Sequence, residues 1–488
     1  MDRRQCEVSA YAIIITTTII IISVILNFCP TQSDIARHDN DDRYPRTRKM
    51  LYELNDKVAT KFFDTFRDKR DPRIPLSVPI VPTFGNNDIW PHNIFERGPN
   101  PTTRTFMNLW QNFVPEYEDH TFEMGGYYIS EVIPNRLAVI SLNTLYLYGA
   151  NAAVDGCTLP EDPGYRQFEW LRYRLEEARF RGLKVWIMGH VPPALNKGEG
   201  KGWYYDCARK YYYWMHAYRD VVVGHLYGHQ NVDHFDLMTA DFVDYPEDDF
   251  QSGEDVASIA KKKNRELDYL TELRRSVYSS VPENSSEPFD QDWMVYTVSA
   301  SIIPKYFPGL RIIEYNITGL EDNPPVLQSQ GMISRSVETV RWFRAAAEDM
   351  VKAMKKKNHK KNRKNHNGKA PPKITPPAPP SPPYGTPPGP AFSPQPLSPI
   401  KYTQYFLNIS RLNEEYDKGN RSERHDFEVE YSSNDKPFNL QDLTVPSYLK
   451  LARRLGSTGD KHDQEEYKEL WSTFLRRAVV GVKDLLNT

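Results

Sequence analysis

Net charge is nearly absent from this sequence. Its 488 residues carry 62 Lys and Arg against 64 Asp and Glu, a balance of −2, so the whole molecule is not an electrostatic binder of nucleic acid. Cysteine is scarce as well. The four present, Cys6, Cys29, Cys157 and Cys207, include no C-x-x-C pair, which argues against a zinc knuckle. Cys157 and Cys207 fall in globular sequence and are a candidate disulfide, a pairing that belongs outside the cytosol. Long apolar runs are missing except for one, AYAIIITTTIIIISVILNFC at residues 10–29. It holds no charge, and a helix of that length spans about 30 Å, the thickness of a bilayer core. No small-residue cleavage site follows it, so the expectation is a transmembrane signal anchor behind a short tail, 1–9. The same crowd of Ile, Thr and Val also suits a buried strand.

What is present divides the chain. Four N-x-[ST] sequons, at Asn284, Asn316, Asn408 and Asn420, point to a secretory lumen and are the glycosylation candidates. Arg37, Arg43, Arg46, Arg48 and Lys49 follow the apolar run and would by themselves place that side in the cytosol. The sequons weigh more, because those basic residues belong to folded sequence. The expected arrangement is a single-pass type II membrane protein with a lumenal domain, in a vacuole or another acidic secretory compartment. A folded domain is expected over 30–345. A basic and then Pro-rich stretch, 346–400, cannot bury a core and reads as a disordered linker. Folded sequence resumes over 401–488.

Periodicity sets the class. Leu51, Leu54, Val58 and Phe62 predict a helix over 47–66, and Phe106, Leu109, Trp110 and Phe113 another over 101–116. LSVPIVPTF reads as extended, and YYISEVIPNRLAVISLNTLYLY as adjacent strands turning at Pro134-Asn135. Phe168, Leu171, Leu175 and Ala178 form one helical stripe that Gly182 ends, followed by the short strand LKVWIM and, later, the apolar DVVVGHLY. TVPSYLKLARRLG predicts a late helix with Thr444 as cap, Pro446 in the first turn and Gly456 after the end. Helix and strand alternate, so the fold class is α/β.

Four places share one grammar: an apolar run stops and metal-ligand residue types begin. They are SDIARHD (33–39), GNND (85–88), GH (189–190) and GHQN (228–231). Strand-end loops are where open α/β folds build sites. Carboxylate, amide oxygen and imidazole are the donors of hard-to-borderline divalent cations. A lone Gly-His or Asn-Asn is usually structural, and the specificity lies in all four occurring in this order.

These motifs resemble the calcineurin-like metallophosphoesterases, within them the acid-sphingomyelinase-like branch, and most closely the endopolyphosphatases. The resemblance rests on DIARHDNDDRYPRT, GNNDIWPHN, NAAVDGC, GLKVWIMGHVPP, DVVVGHLYGHQNVDHF and LTVPSYLKLARRLG, and runs from about 33 to 456 outside the linker. It implies a β-sandwich flanked by helices with two divalent metals at the strand ends (Mn, Co, Mg, Zn or Fe). By position, Asp34 would bridge both metals, while Asn86, His190 and His229 would hold the second. Asn231 stands where many relatives place a His on the first metal. Asn87 stands where many carry a His against substrate phosphate, and Asn cannot act as a general acid. The proton donor would then be His38, whose alternative is a surface His paired with Asp39. The implied activity is endo-hydrolysis of phosphoanhydride bonds in inorganic polyphosphate, and the basic run at 352–369 would attract such a polyanion.

Two departures keep other readings open. The family's first strand carries Asp-x-His, and none lies upstream of Asp34. The Asp460-Lys461-His462 triplet has no apolar strand before it, and Ser33 replaces the Gly expected before the bridging Asp. The expectation is that either the fold has lost its first strand or the sequence is an incomplete version of a longer one. The alternatives are a phosphodiesterase of the acid-sphingomyelinase-like type and a non-catalytic, degenerate member.

Overall fold

Two β-sheets share one apolar layer, and helices cover the outer face of the larger. The computed structural model describes residues 20–21, 47–69, 76–193, 202–243, 265–283, 289–302, 306–320, 379–419, 426–457 and 464–481. Its strands are β1 (Ile20–Ile21), β2 (Tyr128–Ile133), β3 (Leu137–Ser141), β4 (Lys184–Met188), β5 (Val222–Tyr227), β6 (His234–Met238), β7 (Met294–Val298), β8 (Gly309–Tyr315), β9 (Pro399–Phe406) and β10 (Glu428–Ser432). The six-stranded sheet has the order β2-β3-β4-β5-β7-β6, and the four-stranded sheet β1-β8-β9-β10. In the first, β3, β4, β5 and β7 run parallel, with β2 and β6 as antiparallel edges.

The alternation of side chains along a strand builds both layers. Ala138, Ile140, Val185 and Ile187 face a cluster that takes in Phe168, Leu171, Leu175 and Ala178 of helix Pro163–Arg181, the stripe expected from the sequence. Their neighbours Leu137, Val139, Trp186 and Met188 face the opposite way, into a cluster with Ile313, Tyr315, Tyr402 and Tyr431 of the smaller sheet. Helix Pro163–Arg181 starts at a proline in its first turn and stops at Gly182, whose φ of 71° is the left-handed cap a glycine adopts without cost.

Several expected elements take a different form. LSVPIVPTF forms no ladder beyond an isolated bridge at Leu76, because Pro79 and Pro82 have no N–H to give. Side chains hold it instead: the Pro82 carbonyl accepts from the Tyr128 hydroxyl and the Ser141 hydroxyl, both at 2.9 Å. The helix expected over 101–116 closes early, at Pro101–Leu109, with Asn100 and Thr103 forming a capping box. At helix Val445–Gly456 the Thr444 hydroxyl does not cap; it donates to Asp442 Oδ1 at 2.6 Å, which also accepts from the Thr444 N–H and the Ser447 hydroxyl. Gly456 lies inside that helix. A Cβ there would stand 2.5 Å from the backbone of Tyr278 and Ser279, so close approach is what demands glycine.

The transmembrane helix expected over 10–29 is corrected at the two residues described. Ile20 pairs antiparallel with Glu314 of β8, and Ile21 with Ile313, as a sheet edge. β-Branched side chains are stiff at χ1 and fit a pleated sheet, the other conformation this composition suits. No helix among the described residues is long and apolar enough to cross a membrane. The linker expected over 346–400 also ends early. From 379 onward the Pro-rich chain lies on the domain, with Phe392, Leu397 and Ser398 buried and the Ala391 carbonyl accepting from the Val445 N–H at 2.7 Å. Proline's preset φ lowers the entropy cost of laying such a chain on a surface. The sequons at Asn284 and Asn420, and the Asp460-Lys461-His462 triplet, lie outside the described residues. Asn408 caps helix Ile409–Asp417, and Asn316 donates its amide to the Gln395 carbonyl.

Cys157 and Cys207 form a disulfide across 50 residues. A loop of that length is stabilised by about 4 kcal/mol in the chain-entropy picture. Replacing both cysteines with serine is expected to lower unfolding free energy by roughly 2–4 kcal/mol, read from denaturant midpoints. A second expectation concerns pH. Burial pushes the Asp236 carboxyl up to about 7, against hydrogen bonds from Tyr296 and Leu237 that favour its charged form. A raised folded pKa means that stability is full below the unfolded value of about 4 and falls as pH climbs towards about 7. Asp236→Asn removes that part of the slope, so unfolding curves at pH 4 and pH 7.5 should lie closer together in the variant than in the parent.

Candidate metal centre

Parallel pairing of β4 with β5 sets the site. Met188 stands opposite Leu226, and the pairing continues past the strand ends: the Gly189 N–H donates to Leu226 O at 3.0 Å and the Gly228 N–H to His190 O at 2.9 Å. Two successive strand-end loops are thereby locked in register, one carrying His190 and the other His229. Gly189 is demanded by packing, since a Cβ there would lie 2.3 Å from the Thr144 methyl. The Thr144 hydroxyl accepts from the backbone N–H groups of His190 (3.1 Å) and Val191 (2.9 Å), fixing the turn.

Asn86 arrives from the other side. Phe84 is fully buried against Phe95, Phe106, Trp110 and Phe122, which anchors the end of the extended run. The chain then turns at Gly85, whose N–H donates to Asp88 Oδ2 at 2.8 Å. This delivers Asn86, buried, to the two histidines.

Three donor atoms converge. Asn86 Oδ1 lies 2.7 Å from His190 Nε2 and 3.3 Å from His229 Nδ1, and the two ring nitrogens are 3.2 Å apart. Ligand atoms about 2.1 Å from one cation are separated by about 3.0 Å along an octahedral edge and by about 3.4 Å along a tetrahedral one. The triangle has the dimensions of one face of such a shell. Its electrostatics agree. Burial first, then the neighbouring His229 and His92, hold the His190 pKa well below the usual histidine range, so the ring is neutral and keeps a lone pair for a cation. The donors present therefore fit a divalent metal. Among the described residues no cluster of three or more His, Cys, Asp or Glu could hold a metal; this face is built from two imidazoles and one amide oxygen.

Of the residues expected from the sequence, the structure brings Asn86, His190 and His229 together. Asn87 adjoins Asn86 in the same turn and is partly buried, and Asn231 lies two residues beyond His229. Asp34 and His38 fall outside the described residues. Both His229 (φ 69°) and Asn231 (φ 63°) are left-handed, a conformation that costs roughly 1–3 kcal/mol per non-glycine residue and clusters at functional sites. The Tyr148 ring packs edge-on against His229, with centroids 5.2 Å apart.

Sequence reasoning missed the supports. Asn151 clamps the segment after the Asn86 turn, accepting from the Phe95 N–H and donating to the Phe95 and Leu145 carbonyls. His92 and Asn93 both contact the Asn86 amide. The sequence carries little signal for them: His92 and Asn93 follow GNND only after Ile89-Trp90-Pro91, with no spacing that marks a role. Gly189→Ala is expected to displace His190 and reduce divalent-cation affinity by at least on the order of 10-fold, the usual scale for disturbing a ligand's support. Calorimetric titration with Mn²⁺ measures it.

No family model matches the sequence. Individual proteins do, among them three fungal ones named endopolyphosphatase. That of Neurospora crassa is 37% identical, aligned over 89% of this chain and 69% of its own length. The Debaryomyces hansenii protein is 33% identical over 88% of this chain and 67% of its own length. The Yarrowia lipolytica protein is 32% identical over 93% and 79%. Similarity of this extent, over most of both chains, places the chain in the endopolyphosphatase family.

Proposed function

We propose that this chain hydrolyses internal phosphoanhydride bonds of inorganic polyphosphate with the aid of divalent cations held at the strand-end loops. The plan is that of the calcineurin-like metallophosphoesterases, in their acid-sphingomyelinase-like branch. The observation that carries the reading is the triangle of Asn86 Oδ1, His190 Nε2 and His229 Nδ1. Asp34 and Asn231 would complete the donor set. Bound there, a divalent cation supplies Lewis acidity, drawing off charge that builds on phosphate oxygens.

The chain's own residues do the rest. His190 stays neutral because its site is buried, so it offers a lone pair rather than a proton. The Asn87 amide donates a hydrogen bond to a phosphate oxygen without transferring a proton. The proton for the departing phosphate oxygen is assigned to His38. The disulfide supports an oxidising, secretory-type compartment such as a vacuole. The basic run at 352–369 would gather a polyanion, an effect that salt weakens.

The test is direct. The chain is incubated with long-chain polyphosphate and Mn²⁺, Co²⁺ or Mg²⁺, and products are sized on a gel. The expected result is a falling chain length with intermediate products, slowed by at least on the order of 100-fold in His190→Ala and His229→Ala. No shortening with any of the metals overturns the reading. Cleavage of bis-p-nitrophenyl phosphate with polyphosphate untouched would replace it with a phosphodiesterase.

A further inference from the structure

We propose that His92 and Asn93 are positioning residues that select which end of the Asn86 side-chain amide faces His190 and His229. The inference rests on the metal-site reading above and goes beyond it, because it names what makes Asn86 a ligand at all. An amide oxygen and an amide nitrogen have nearly the same size, so packing alone does not choose between them. Only the oxygen has a lone pair for a cation. With the amide turned over, its NH₂ would point at the shared ligand position and the triangle would lose a donor.

The choice is made on the far side of the group. Asn86 Nδ2 carries two hydrogens, and both have acceptors: His92 Nε2 at 3.0 Å and Asn93 Oδ1 at 2.8 Å. Unless the Asn93 amide turns over with it, Asn86 Oδ1 in the flipped state would sit opposite Asn93 Oδ1 at hydrogen-bond distance with no proton between them. It could still accept from His92 only if that ring changed tautomer. A flip of Asn86 by itself therefore loses one hydrogen bond and creates an oxygen–oxygen contact, in a site where Asn86 is buried and water cannot compensate; avoiding that loss requires Asn93 and His92 to rearrange together.

The surrounding backbone is built to keep this pair in place. Asn93 is left-handed, with φ 68°, a state Asn tolerates better than most residues. The turn is closed by the Ile94 N–H donating to the Pro91 carbonyl at 3.1 Å. The next residue, Phe95, is buried and clamped through its backbone N–H and carbonyl by Asn151. The chain of support thus runs Asn151, Phe95, Asn93, Asn86, and its last link is a hydrogen bond that discriminates oxygen from nitrogen.

The experiment measures Mn²⁺ affinity by calorimetry on the full chain, with thermal unfolding in chelator as the fold control. Asn93→Leu and His92→Phe, similar in size and unable to accept, are expected to weaken Mn²⁺ binding roughly 10–100-fold, the range seen when groups behind a metal ligand are removed. Asn93→Asp keeps the acceptor oxygen and should stay within a few-fold of the parent. Asn86→Ala separates the two readings. If it loses affinity while Asn93→Leu and His92→Phe fold and bind as the parent does, the positioning proposal is wrong and the metal site stands. If Asn86→Ala also binds like the parent, the metal site itself is wrong. Equal loss in Asn93→Leu and Asn93→Asp would also overturn the proposal, since a merely space-filling role does not distinguish an acceptor from its absence. Should Asn93→Leu fail to fold, His92→Phe alone carries the comparison.

Discussion

The site depends on one constraint, the parallel register of β4 and β5. Parallel strands place their following loops side by side at the same edge of the sheet. With Met188 opposite Leu226 and two further backbone hydrogen bonds beyond the ladder, His190 and His229 have little freedom to be elsewhere. A slip of one residue would turn Ile187 out of the helical layer and Trp186 out of the inter-sheet layer, exchanging the two buried faces. Burial of both faces therefore protects the geometry of a site whose own residues are polar and contribute little apolar burial.

The loops are held by polar groups as much as by apolar ones. Just past the site, the Asp233 carboxylate pairs with the Arg311 guanidinium and accepts from the Tyr431 hydroxyl, while the Arg311 Nε donates to Gln404. Both charges are almost wholly buried, and the pair ties the loop of His229 and Asn231 to the opposite sheet. A buried ion pair is a poor source of net stability, but losing one partner strands the other at a cost of about 3–5 kcal/mol. Such a tie resists the relaxation that two left-handed residues at 229 and 231 would otherwise invite.

Much of this was legible in the sequence, for reasons that can be named. The stripe of Phe168, Leu171, Leu175 and Ala178 and the strands around LKVWIM and DVVVGHLY follow from periodicity, and the ligand types at the ends of those strands follow from their abrupt polarity. The candidate triangle needed those strand ends for His190 and His229, the end of the extended run for Asn86, and a resemblance. The apolar run at 10–29 was ambiguous in principle: its length suits a bilayer while its β-branched content suits a sheet, and composition does not decide between them. Part of the Pro-rich stretch packs because Phe392 and Leu397 give it apolar anchors that a count of prolines conceals. His92, Asn93, Thr144 and Asn151 escaped notice because they act through hydrogen bonds set by tertiary contact, which have no period in sequence.

The central claim is that Asn86, His190 and His229 form one face of a cation's shell. Crystals of the chain soaked in Mn²⁺ and measured at the manganese absorption edge test it without reference to activity. The account predicts an anomalous peak about 2.0–2.3 Å from Asn86 Oδ1, His190 Nε2 and His229 Nδ1 together. A cation bound elsewhere, with those three atoms joined only by hydrogen bonds, would contradict it.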